Sequence, residues 1–100
     1  MKKFKNRTRP ANPLDWYTLT ETTNSVLHEL IAYTGRETVA EQMKEFPDQN
    51  RIDALWNYFK EINSINRNVE NFKDAGRMEE IIAKYAPVVK KMYTENVYPI

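Results

Sequence analysis

Apolar residues recur every three or four positions along most of this chain, and no strand-length stretch alternates apolar with polar. A period near 3.6 lines up one face of a helix, whereas a period of two would line one face of a sheet. The spacing therefore predicts an all-α fold. Few residues interrupt it: two glycines, Gly35 and Gly76, and five prolines at 10, 13, 47, 87 and 99. Placed on those breaks, the pattern predicts a small bundle of about four helices, over 13–34, 36–46, 48–66 and 77–95. Residues 13–100 form one domain and 1–12 a separate basic arm.

Each predicted helix has its own start and stop. Asn12 caps the first, Pro13 suits its first position and Asp15 reaches back. Trp16, Leu19, Val26, Leu27, Leu30 and Tyr33 share one side of it, with Thr23 in the same arc, and Gly35 ends it as a C′ residue. The β-branched run 18–23 weakens the first turns, so a later start on a Thr18/Glu21 capping box is the alternative. In the second helix Val39, Met43 and Phe46 form the apolar face. Glu37, Glu41 and Glu45 form an opposite, solvated ridge at spacing i, i+4, i+8.

Pro47 and Asp48 stop that helix and cap the third. Ile52, Leu55, Trp56, Phe59 and Ile62, widened by Tyr58 and Ile65, cover about half the circumference of the third helix. So wide an apolar arc means either a central helix packed from two sides or one that faces a partner chain. Asn66, Asn68 and Asn71 mark a looser connection, in which Val69 and Phe72 form a short turn that plugs the core. The last helix keeps Met78, Ile81, Ile82, Tyr85, Val88, Val89, Met92 and Tyr93 on one side across Pro87. Because the phase does not slip there, the expectation is one helix kinked at Pro87, with two helices as the alternative. Residues 97–100 form a short apolar tail laid on the body.

The 100 residues suffice for a core without covalent staples. The chain has no cysteine, which excludes disulfides, zinc–thiolate sites and thiol nucleophiles. No apolar run approaches the roughly 18 residues of a membrane helix, so a soluble, cytoplasmic protein with no membrane association is expected. The net charge of +1 conceals an asymmetry. Lys2, Lys3, Lys5, Arg7 and Arg9 give the arm +5 with no acid, whereas the rest carries fourteen acidic and ten basic residues. Such an arm is either a solvated tail or a contact for nucleic acid or an acidic partner.

Catalytic chemistry is poorly represented. His28 is the one histidine and falls on the polar side of the first helix, which leaves a His-dependent triad without a second candidate. Two-His and Glu-x-x-His metal patterns and Gly-rich phosphate loops are missing from the sequence. The acids lie away from the apolar faces rather than facing one another. The expectation is no enzyme, no metal, no cofactor and no small-molecule substrate.

Two binding readings remain. Residues 36–60 loosely resemble a helix-turn-helix: Ala40 is small at the helix crossing, and Gln49, Asn50 and Arg51 open the next helix with base-reading side chains. The basic arm would then lie on phosphates. Against this stand a Pro-Asp turn of unsuitable length, Asp48 and Asp53 beside the readers, and three glutamates facing the backbone. The favoured reading is a non-catalytic helical module that binds another protein or a second copy of itself, as a regulator, adaptor or inhibitor. Phage and mobile-element cargo supplies many small chains of this type. Twelve aromatic residues, six of them Tyr, exceed what so small a core requires. Tyr17, Tyr58, Ile65, Tyr93 and Tyr98 are the expected apolar contacts, and Glu37, Glu41 and Glu45 the expected acidic ones.

Overall fold

The computed structural model describes residues 13–100, and every described element is helical. Helix α1 spans Pro13–Gln42, α2 spans Gln49–Arg67 and α3 spans Ala75–Thr94, with a 3₁₀ turn at Val69–Phe72. The basic arm and the Asn12 cap lie outside the described residues. The all-α expectation holds, but three long helices replace four.

The difference lies at Gly35, which does not end a helix. It keeps a negative φ and sits within a continuous 30-residue α1. A glycine inside a helix costs about 1 kcal/mol relative to alanine. Residues on both sides offset that cost: Tyr33 and Thr34 are buried, and Glu37 and Glu41 beyond them engage α2. The β-branched run near the start is accommodated as well. Thr20 and Thr23 donate their hydroxyls to the carbonyls of Trp16 and Leu19, so the buried Thr23 is satisfied within its own helix.

Asparagines and aspartates set the other boundaries. The Asp48 carboxylate accepts from the backbone N–H groups of Asn50 and Arg51, capping α2 as expected. Asn68 closes α2 and caps the 3₁₀ turn through Glu70, while Asn71 donates to the Ile65 carbonyl. The loose connection is thus tied down by its own side chains. Phe72 packs against the core as expected, whereas Val69 is exposed. Asp74 caps α3, which starts at Ala75, and the helix continues through Pro87. Asn96 adopts a left-handed φ of 55°, which turns the chain back after α3. The tail then lies on the body: Tyr98 stacks on Tyr33 at 5.6 Å, and Tyr33 Oη donates to the Ile100 carbonyl at 2.7 Å.

The core gathers Val26, Leu27, Leu30 and Tyr33 from α1, Leu55 and Ile62 from α2, and Tyr85 and Met92 from α3. The central element is α1, which packs along both α2 and α3. This corrects the expectation that 48–66 holds the centre. The wide apolar arc of α2 must therefore have another explanation.

Candidate functional site: an apolar groove at a two-helix tip

The α1–α2 pair extends beyond α3. In the last turn of α3, Tyr93 Oη donates to the Glu29 carboxylate of α1. Toward the 43–48 connection, the elements that line this part among the described residues are α1 and α2, with the tail over Tyr33. The two faces of this tip are built differently.

One face is polar and closed. Glu41 is only 3% exposed and receives the Asp48 backbone N–H at 2.8 Å and the Lys44 ammonium at 2.9 Å. Arg51 lies 3.5 Å from Glu41 and 3.0 Å from Glu37. The backbone N–H of Asp48, followed by Lys44, holds the Glu41 carboxyl below its ordinary pKa, outweighing the opposing effect of burial. Burial works against the Arg51 charge, but the Tyr33 oxygen and Glu37 hold its pKa above the usual value. Glu41 therefore does not belong to a solvated ridge. It fastens the interhelix connection to the start of α2, and the ridge is reduced to Glu45, with Glu37 half-buried in an ion pair.

The other face is apolar and open. A groove of about 370 Å³ runs between the helices, lined by Ile31, Thr34, Gly35, Thr38 and Val39 from α1 and Leu55, Trp56 and Phe59 from α2. Trp56 stacks on Phe59 at 5.3 Å, and the Lys60 ammonium lies 5.7 Å from the Trp56 ring at the rim. Gly35 leaves open space, since a Cβ placed there meets nothing within 4 Å. Val39 and Trp56 are each 55% exposed. Beyond them Met43 is 81% and Phe46 83% exposed, although the heptad-like spacing assigned both to a core face. Their exposure is a correction with a simple cause: α1 ends at Gln42, so both residues lie in the 43–48 connection rather than on a helix face.

The contacts expected from sequence do not converge on this groove. Tyr17 is exposed near the opposite end of α1, and Tyr93 is exposed beside Glu29. Tyr58 and Ile65 are half-buried against the core rather than forming an outer ridge. Burial, then the nearby Glu61 charge, pushes the Tyr58 phenol up to about 12. Burial and its 2.7 Å hydrogen bond to Glu61 push the Tyr85 phenol up in the same direction. Tyr98 stacks on Tyr33 and stays half exposed, but it does not line the groove. Among the residues of the nucleic-acid alternative, Gln49 donates to Asp53, Asn50 is exposed, Arg51 is held by two glutamates, and the five basic residues of the arm lie outside the described region.

Ile31, Gly35, Thr38, Trp56 and Phe59 were missed as a site. One signal for them was present, the half-circumference apolar arc of 48–66 in its second interpretation. His28 is exposed, with Nε2 3.3 Å from the Asn66 amide nitrogen. Among the described residues, no group of three or more His, Asp or Glu is placed to hold a metal, and no helix is long and apolar enough to cross a membrane. The chain matches no protein-family model, no curated protein and no solved structure.

Proposed function

We propose that this chain is a non-catalytic helical binding module that engages another polypeptide through the groove between α1 and α2. The observation that carries this reading is a preformed, apolar-lined groove whose walls include the exposed Val39 and Trp56. Single exposed apolar residues are ordinary, but an apolar groove with a half-exposed Trp in its wall has the composition of an interface core. The closed polar face stiffens the same two helices from behind, so little order has to be gained on binding. The engagement of Arg51 with Glu37 and Glu41 weighs against base reading by the start of α2.

A photoreactive amino acid placed at Thr38, inside the groove, tests this in cells of the native source. The expected outcome is a polypeptide adduct of discrete mass at Thr38, none at Tyr17, and loss of the adduct when Gly35→Leu fills the groove. Equal labelling at both positions, or labelling indifferent to Gly35→Leu, would count against the groove.

A further inference from the structure

We infer that the groove is occupied by a second copy of this chain, docked through a two-fold axis that sets α2 against α2 in antiparallel. This rests on the groove being the binding site and adds what fills it.

The charge order along α2 supports a second copy. Gln49, Asp53, Trp56, Lys60 and Arg67 follow at helical spacing on one outer strip of α2. The strip is acidic before Trp56 and basic after it. Reversing one copy against the other about the midpoint of residues 53 and 60 sets Asp53 opposite the partner's Lys60, and the same pair recurs on the other side of the axis. That midpoint falls next to Trp56, so the apolar centre and the charged flanks share one register. A two-fold interface requires this self-complementarity, because each surface must match itself reversed. A foreign partner would not require it.

The apolar contact lies beside the axis: Trp56 and Val39 are each 55% exposed in the wall of the groove that the partner enters. Gly35 has a role in this arrangement, because the space above it accepts the edge of the partner's Trp56 ring.

Sedimentation equilibrium on the whole chain tests the inference. The wild type is expected to dimerise in the micromolar range, less tightly as salt rises. Asp53→Lys alone and Lys60→Asp alone each juxtapose like charges twice per dimer and are expected to weaken it about tenfold. The double variant Asp53→Lys/Lys60→Asp restores the pairs in reverse and is expected to recover wild-type affinity within about threefold. Trp56→Ser and Gly35→Leu are each expected to leave a monomer with unchanged helicity by circular dichroism.

A wild-type monomer up to about 1 mM would overturn the inference. So would a double reversal as weak as the single ones, or a dimer indifferent to Trp56→Ser. If the chain is monomeric yet Thr38 still cross-links to a foreign polypeptide, the groove stands and only its occupant was wrong. If neither occurs, both readings fail.

Discussion

The two ends of the α1–α2 pair differ in how they are covered. Toward residues 20–30 of α1, α3 lies alongside, and Leu27, Leu30 and Ile62 are fully buried. Toward residues 35–42 no third helix among the described residues lines the groove, and Val39 and Trp56 stand half in water. The sequence pattern is much alike at both ends. What the comparison teaches is that an apolar stripe states a demand for cover without saying who meets it. At one end the chain meets the demand itself. At the other it holds the helices together with Glu41, Arg51 and the Asp48 cap, and leaves the stripe open.

The comparison breaks most readily at the covered end. Leu30→Ala is expected to lower unfolding free energy by about 2–5 kcal/mol in urea titration, the usual range for a large-to-small change in a filled core. At concentrations where the chain is monomeric, Trp56→Ser at the open end is expected to cost far less; similar losses at the two positions in the monomer would mean that the chain itself closes the tip. Next in size is Asp48→Ala, which removes the cap on α2 and is expected to cost about 1 kcal/mol. Smaller and opposite in sign, Gly35→Ala is expected to stabilise the protein by about 0.5–1 kcal/mol, since helix propensity improves and nothing obstructs the added methyl. A destabilised Gly35→Ala would show that α1 breaks there after all.

The smallest effect concerns pH. The folded-state pKa of Glu41 lies below its unfolded value of about 4.5, so its contribution is present above that pH and lost as pH falls through the folded value. The gap in melting temperature between the wild type and Glu41→Gln should therefore be widest near neutrality and narrow on acidification below about pH 4.5. A gap that stays constant would mean that Glu41 is solvated, as its place in the Glu37–Glu45 series suggested.

Local chemistry was legible in the residues. Period 3.6 named the class, Asp48 the cap on α2, Val69 and Phe72 the short turn, and the unbroken phase across Pro87 a single last helix. These depend on neighbours within a turn or two, where backbone sterics and capping act directly. Tertiary structure decided the rest. Gly35 reads as a stop until Tyr33, Thr34 and Glu41 are seen anchored on both sides of it, because a cost of about 1 kcal/mol is easily outweighed by burial. Glu41 reads as a surface charge until the Asp48 amide from the connection and Arg51 from α2 arrive beside it. Val39, Met43 and Phe46 read as core until α1 is seen to end at Gln42, which leaves Met43 and Phe46 in the connection, and Val39 to line an open groove. Whether a greasy face becomes interior or surface depends on which distant elements pack beside it, and no local pattern encodes that.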